Sequence, residues 1–187
     1  MSFRSARVRI ATAAISAVVA GTLGLSASPA AAAKSDGYVR GYNDYKGDWS
    51  DEGELAFDGG SWFDDNNAVC LWQKILWAEG AEETNGSYFD AADVDGQFGP
   101  NTLGATEFLQ DRWGLRVDGV VGGSTFGRAD DELRVTSGSD DPGRQLNMTY
   151  YGDRHSFSVV RNSEGKYSFR DGDNDWRIAG YGYRTCN

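Results

Sequence analysis

The sequence has little histidine, little cysteine and few basic residues. His155 is the only histidine among 187 residues. One imidazole cannot supply the two or three histidine ligands of the usual catalytic zinc sites, which argues against most metallopeptidases and metalloamidases. There are 18 Lys and Arg against 28 Asp and Glu. Since an acidic chain repels phosphate groups, we expect neither nucleic acid nor an anionic membrane surface as a partner.

Residues 1–33 have the layout of a secretory signal peptide: three arginines, an apolar stretch from Ile10 to Leu25, and small residues through Ala33. The apolar stretch is interrupted by polar residues and glycine, whereas a membrane span needs about 20 apolar residues. Cleavage would remove three Arg and no acid, which leaves 154 residues with a net charge of −13 instead of −10. We predict a secreted, extracellular or wall-associated protein, and we expect a monomer.

Cys70 and Cys186 are the only cysteines. In an oxidising compartment the default is one disulfide. It would close a loop of more than 100 residues, for which the chain-entropy model gives about 4–5 kcal/mol. The alternatives are two unpaired thiols, or Cys186 as a nucleophile. A catalytic thiolate needs a neighbouring base, and the single histidine lies 31 positions earlier. We therefore predict a structural disulfide.

The segment 34–68 shows no sustained helical or strand period and is almost free of aliphatic residues. Its aromatic side chains can pack against the neighbouring domain, which is the more common arrangement, or form a strip that stacks on glycans. We predict an irregular segment lying on the rest of the fold. The aromatic residues are Tyr38, Tyr42, Tyr45, Trp49, Phe57, Trp62 and Phe63.

Three helices are predicted between residues 69 and 135. The first has apolar residues at helical spacing, a capping asparagine at Asn66 or Asn67, and Gly80 as its stop. The second runs from Pro100 to Trp113, with proline at its first position and glycine just after its end. The third, less regular helix spans 124 to about 133.

An internal repeat lies in the same region. The ten residues 95–104 recur 23 positions later as 118–127, and five of the ten positions are identical: Asp, Gly, Gly, Thr and Gly. Aspartate can bond to its own downstream backbone, glycine supplies positive φ, and threonine can satisfy donors of the first helical turn. Each copy therefore predicts a turn that leads into a helix, and the repeat alone indicates no ligand.

Beyond residue 135 the pattern changes to that of strands. Residues 136–143 are polar and small and predict a linker. Alternation of period two follows, in runs separated by turn residues, and predicts an antiparallel meander of three or four strands over residues 144–187. The alternating pairs and triplets are Leu146, Met148 and Tyr150; Phe157 and Val159; Tyr167 and Phe169; Trp176 and Ile178.

The helical region resembles the peptidoglycan-binding domain that is attached to many bacterial cell-wall hydrolases. The order and spacing of the family's motif hold over about 65 residues of the mature chain. Val69, Gln73 and Leu76 match its first helix, with Trp72 in a leucine position. The other matching residues are Asp95, Gly96, Phe98, Gly99, Pro100, Thr102, Ala105, Gln110, Gly114, Leu115, Val117, Asp118, Gly119, Val120, Val121, Gly122 and Thr125.

The sequence departs from the family's motif at four packing or turn positions and in one loop. The loop between Gly80 and Val94 is expanded by residues 82–92, so the specificity of a ligand groove that borders it does not carry over from the family. The four substituted positions are Thr106, Leu109, Gly123 and Phe126.

The resemblance implies a three-helix peptidoglycan-binding-like module. Together with the strand pattern that follows, it predicts an α+β chain in which this module precedes a small antiparallel β meander. We divide the chain into a signal peptide (1–33), an irregular aromatic and acidic segment (34–68), a helical domain (69–135) and a C-terminal β region (144–187). The expected partner is peptidoglycan, through its glycan strand or its stem peptide. We expect no cofactor.

Four residues near the first turn are polar or aromatic and are not required by the predicted core. Tyr88, in the expanded loop, can stack on a sugar face. Gln97 and Asn101 flank Phe98 at the start of the second helix, where free backbone donors favour an anionic group. Arg112 can pair with a stem-peptide carboxylate. We predict these four as ligand-binding residues; ordinary surface positions are the alternative.

The predicted function is non-catalytic binding of cell-wall peptidoglycan. One alternative is a small wall hydrolase whose acids lie outside the module, with Asp44, Asp48, Asp51, Glu52 and Glu54 as candidates. Another is an extracellular protein-interaction or inhibitor module that reuses the fold.

Two acidic stretches have part of the spacing of a calcium-binding loop. The stretch around Asp93 and Asp95 has Ala91 at the first ligand position and Thr102 in place of the closing glutamate. The hairpin acids Asp171, Asp173 and Asp175 are followed by Trp176 in place of the turn glycine and by Gly182 in place of the glutamate. We expect solvated acids there and no metal.

Overall fold

The computed structural model describes residues 37–57 and 65–186. The predicted signal peptide and the aromatic residues Trp62 and Phe63 lie outside these ranges. The described part contains three α-helices and two short 3-10 helices, and none of the helices is both long and apolar enough to cross a membrane. The helices are α1 (Asn67–Glu79), α2 (Pro100–Arg112) and α3 (Gly123–Asp130), and the 3-10 helices are Asp48–Asp51 and Ala91–Asp93.

A five-stranded antiparallel sheet follows the helices, with its strands in sequence order. Each strand pairs with the next, as in a simple meander. The strands are β1 (Leu133–Gly138), β2 (Leu146–Tyr151), β3 (Ser156–Arg161), β4 (Tyr167–Arg170) and β5 (Trp176–Ile178).

Local capping residues set the ends of α1 and α2. The Asn66 side chain accepts a hydrogen bond from the Val69 N–H at 3.0 Å, as expected for an N-cap. Gly80, at φ 61°, ends α1 in the left-handed region, where glycine has no Cβ penalty. Pro100 is the first residue of α2. The helix α3 ends at Asp130, about three residues earlier than predicted.

The predicted fold class is wrong in how it arranges the helices and the sheet. The chain is α+β in the broad sense, but its helices do not form a separate three-helix module that precedes a meander, because helices and sheet share one hydrophobic core. Trp49 is fully buried and its ring lies 6.3 Å from that of Phe126 in α3 and 5.4 Å from that of Tyr167 in β4. The helix α1 also packs against β5.

The linker predicted at residues 136–143 is wrong in its first half, since β1 continues through Gly138. This strand is at the edge of the sheet, and Leu133 is its single buried residue. A mostly exposed edge strand can be polar throughout, so its composition is like that of a linker.

The segment 37–57 is built into the fold at two places. Val39 N–H donates to Ala179 O at 2.8 Å, and Tyr167 N–H donates to Val39 O at 3.0 Å, so this residue joins β4 to the chain after β5. Leu55 exchanges two backbone hydrogen bonds with Val121, just before α3. Val39, Trp49 and Leu55 are fully buried. The segment therefore supplies core residues to both the helices and the sheet.

Buried carboxyl groups hold this segment in place. Glu52 accepts hydrogen bonds from Arg40 N–H at 2.6 Å and from the Tyr181 hydroxyl at 2.8 Å. Asp130, at the end of α3, accepts one from Gly47 N–H at 2.5 Å. Burial raises the pKa of Glu52 to about 8 and that of Asp130 to about 7.

We predict that the protein is more stable in mild acid than in mild alkali. Both folded-state pKa values lie above the ordinary values of 4.5 for Glu52 and 3.8 for Asp130. The stabilisation that the protonated carboxyl groups contribute is therefore complete below the ordinary pKa values and is lost as the pH rises through the folded-state values of about 7 to 8. The free energy of unfolding should fall by roughly 1–3 kcal/mol between about pH 5.5 and about pH 8.5.

Urea unfolding at the two pH values measures this change. In the variant Glu52→Gln the amide cannot ionise and still accepts the Arg40 hydrogen bond, so the fall should be clearly smaller. An unchanged pH dependence in that variant would show that Glu52 does not contribute.

Candidate functional site

A buried glutamine of α1 organises the first turn of the repeat. The Gln73 Nε2 group donates to Asp95 Oδ1 at 2.9 Å, to Gln97 O at 3.0 Å and to Thr102 Oγ1 at 3.0 Å. Its Oε1 atom accepts from Gly96 N–H at 2.6 Å. Gln73 is only 1% exposed, so these contacts satisfy a side-chain amide that would otherwise be buried without partners.

Gln110 in α2 makes the same set of contacts in the second turn. Its Nε2 group donates to Asp118 Oδ1 at 3.0 Å, to Val120 O at 2.9 Å and to Thr125 Oγ1 at 3.1 Å. Its Oε1 atom accepts from Gly119 N–H at 2.9 Å. The structural repeat is therefore a helix glutamine, a turn and the start of the next helix.

The two copies differ in the loop between the glutamine and the turn. Gln73 and Asp95 are 22 residues apart, whereas Gln110 and Asp118 are 8 residues apart. The extra residues of the first copy form the wall of an open groove of about 350 Å³ beside the start of α2. Phe89, Ala92 and Asp93 line the groove from the loop side, and Gln97 and Asn101 line it from the other.

Of the four predicted ligand-binding residues, the structure brings Gln97 and Asn101 together on this groove. Both are exposed. Gln97 N–H donates to Asp95 Oδ1 at 2.8 Å, and its side-chain amide lies 3.3 Å from Asp95 Oδ2. The turn thus fixes the Gln97 backbone and leaves its side chain at the surface.

Tyr88 and Arg112 do not line this groove and instead contact the turn between β2 and β3. The Tyr88 ring is about half exposed, and the guanidinium of Arg154 lies 3.8 Å from its centroid. Arg112 Nη2 lies 2.6 Å from a carboxylate oxygen of Glu79, and its Nη1 lies 3.5 Å from Asp153. One face of the Tyr88 ring is therefore already covered by Arg154 of the same chain.

Arg112 is held in an ion pair with Glu79, and its pairing with a stem-peptide carboxylate stays a prediction. Its partner Glu79 is buried at 3% exposure and also accepts a hydrogen bond from the Tyr150 hydroxyl at 2.8 Å. Burial raises the pKa of Glu79, and Arg112 opposes that rise. The sequence gives no local sign of this pairing, because Arg112 and Glu79 are 33 residues apart.

The groove combines hydrogen-bond donors and acceptors. The N-cap residue of α2, Gly99, has no side chain to satisfy the first amide groups of the helix. Asp93 and Asp95 add carboxylates to the lining, and burial raises the pKa of Asp93. A purely anionic ligand would meet these carboxylates, so the groove suits a ligand that carries amides or amines beside its acidic groups.

Phe89, Ala92 and Asp93 are groove residues that sequence reasoning missed. The sequence shows that the loop is expanded, but the residues of the loop match no motif. Only the fold shows which of them line the groove. The available signal was the unequal spacing of the two glutamines from their turns.

The other acidic candidates have structural contacts. Asp171 Oδ1 accepts from Asp175 N–H at 2.9 Å and its Oδ2 lies 2.6 Å from Arg177 Nε. Asp48 forms a buried ion pair with Arg161 at 2.7 Å, where its hydrogen bonds also include the Tyr167 hydroxyl. Within residues 37–57 and 65–186, no group of three histidine, cysteine or acidic residues is placed to hold a metal ion.

Comparison of the chain with protein-family models, with curated proteins and with solved structures finds no match in any of the three. The resemblance to the peptidoglycan-binding domain therefore rests on the motif residues of the sequence.

We predict that Arg112→Ala lowers the free energy of unfolding by about 1–3 kcal/mol, because it leaves the buried Glu79 carboxylate without its counter-ion. The partial exposure of Arg112, at 30%, keeps the loss below that of a fully buried pair. Arg116→Ala is the matched control, since Arg116 is 87% exposed, and it should change stability by less than about 0.5 kcal/mol. Equal effects of the two substitutions on chemical unfolding would contradict the structural role of Arg112.

Proposed function

We propose that the protein is a secreted, non-catalytic binder of bacterial cell-wall peptidoglycan, and that ligand binds in the groove beside the start of α2. The observation that carries the proposal is the placement of Gln97 and Asn101. Both were predicted as ligand-binding residues because they are polar, flank Phe98 and are not required by the core, and both line one open groove.

The chemistry of the groove supports a peptide-bearing wall polymer. Stem peptides present amides, carboxylates and amines along a short chain, and the groove offers side-chain amides from Gln97 and Asn101, backbone donors at the start of α2, and the carboxylates of Asp93 and Asp95. Since both the protein and its ligand are acidic, affinity would come from hydrogen bonds and contact area more than from net charge.

Two of the five candidate acids of the hydrolase alternative have structural roles. Asp48 and Glu52 are largely buried and are engaged in hydrogen bonds that fix the segment 37–57. Neither lines the groove that contains Gln97 and Asn101. A glycosidase instead needs two carboxyl groups facing the same bound sugar.

The test is sedimentation of the oxidised chain from Lys34 onward with insoluble purified peptidoglycan, combined with turbidity measurement on the same suspension. We expect the protein to sediment with the polymer without clearing it. The double variant Gln97→Ala/Asn101→Ala should bind about tenfold more weakly, a typical effect of losing hydrogen bonds at a binding site, while its unfolding midpoint stays close to that of the parent.

The matched control is Asn43→Ala/Gln145→Ala, which removes two exposed side chains outside this groove and should leave sedimentation unchanged. Steady clearing of the suspension would place the protein among hydrolases. Failure of the parent protein to sediment would contradict the proposal and favour an extracellular protein-interaction module.

A further inference from the structure

The last described residues of the chain cross the start of α1 and end against the first turn. Asn67 N–H donates to Tyr183 O at 2.9 Å, and Thr185 N–H donates to Asn67 Oδ1 at 2.8 Å. Arg184 Nη1 donates to Asp95 O at 3.3 Å. Cys186 is 3% exposed and is bonded to Cys70, as predicted from the cysteine count.

In the second copy of the repeat, two side chains of α2 pack behind the turn glycine. A Cβ atom added to Gly119 would collide with Leu103 Cδ1 and would lie 3.5 Å from Glu107 Cγ. Leu103 and Glu107 precede Gln110 by seven and three residues, so both project from α2 on the side of the glutamine. The second turn is therefore packed by two side chains of the helix that holds it.

The first turn is packed by the disulfide instead. A Cβ atom added to Gly96 would lie 2.7 Å from Sγ of both Cys70 and Cys186. Cys70 precedes Gln73 by three residues and so corresponds to Glu107. The residue seven before Gln73 is Asn66, which is the N-cap of α1 and uses its side chain to cap the helix.

The helix α1 thus begins too late to supply a counterpart of Leu103, and Cys186 reaches the turn from the other end of the chain. We propose that the Cys70–Cys186 disulfide is a positioning element of the groove, and that the groove is properly formed only in the oxidised protein. This inference rests on the proposed function only for the identity of the ligand that the groove binds. The packing of the turn can be tested without a ligand.

Reduction by a small dithiol would break the S–S bond. Two electrons and two protons convert the two sulfurs to thiols, and the reductant closes to its own disulfide. The C-terminal residues would then be held by their hydrogen bonds to Asn67 and Asp95 and by the ion pair of Arg184 with Asp65, without a covalent link. The first turn, which carries Gln97, would lose the closed disulfide that packs behind Gly96, while Leu103 would still pack the second turn.

Amide hydrogen exchange provides a matched comparison inside one molecule. Gly96 N–H and Gly119 N–H each donate to the glutamine Oε1 atom of their own copy, at 2.6 Å and 2.9 Å. We expect reduction, or the variant Cys186→Ala, to accelerate exchange at Gly96 by about tenfold or more while Gly119 changes little. Equal acceleration at both amides would show that the disulfide stabilises the whole fold, and no change at either would show that it does not support the turn; either result overturns the inference.

Sedimentation with peptidoglycan of the oxidised and reduced proteins tests the functional consequence. Weaker sedimentation after reduction supports the inference, and equal sedimentation of both forms contradicts it. If the oxidised protein itself does not sediment, the proposed ligand is wrong, and the comparison of Gly96 with Gly119 still decides whether the disulfide positions the turn.

Discussion

A buried side-chain amide is the constraint on which the helical part of this protein depends. An amide inside a protein has to satisfy two donors and an acceptor, and each glutamine does so only if the following turn presents a carboxylate, a free N–H and a hydroxyl in one arrangement. Gln73 and Gln110 both impose this arrangement. The aspartate and threonine of each copy are repeated because the same amide has to be satisfied twice. The glycine is repeated because its φ is positive and no Cβ fits behind it.

The sheet and the helices depend on a second constraint, which is one shared core. Trp49 stands among side chains from α3, β2 and β4, so the segment that precedes the helices in sequence lies between the helices and the sheet. The segment carries Glu52 into the interior and covers Asp130 at the end of α3, and this burial raises the pKa of both carboxyl groups. Charged groups buried in this way stabilise the fold only together with their specific partners.

Features that depend on neighbouring residues were predictable from the sequence. The ends of α1 follow from Asn66 and Gly80, whose capping roles require only local backbone geometry. The pairing of Cys70 with Cys186 followed from simple counting. The repeat is visible in the sequence as identical residues. The two glutamines are not part of that visible repeat, because they lie at different distances from their turns.

Features that depend on distant residues are not predictable, apart from the disulfide, which joins the only two cysteines of the sequence. Nothing near Arg112 in the sequence indicates that Glu79 is its partner, and nothing near Val135 indicates an edge strand where composition suggests a linker. The prediction that helices and sheet form separate units is wrong for the same reason. A hydrophobic period of 3.6 or 2 residues shows which face of a helix or strand is apolar, but not which element covers that face. Of the groove, the sequence identified Gln97 and Asn101 but not the loop residues opposite them.

The insertion between α1 and the first turn has a consequence for how such a protein can diversify. Both ends of the inserted chain are fixed, at Ala81 by hydrogen bonds to Leu76 and Phe89, and at Asp95 by Gln73. For a flexible loop held in this way, each doubling of length costs only about 0.6 kcal/mol of closure entropy. The exposed residues of the loop can therefore be exchanged to reshape one wall of the groove while the amide network remains intact, whereas Phe89, which is buried in the shared core, has to stay.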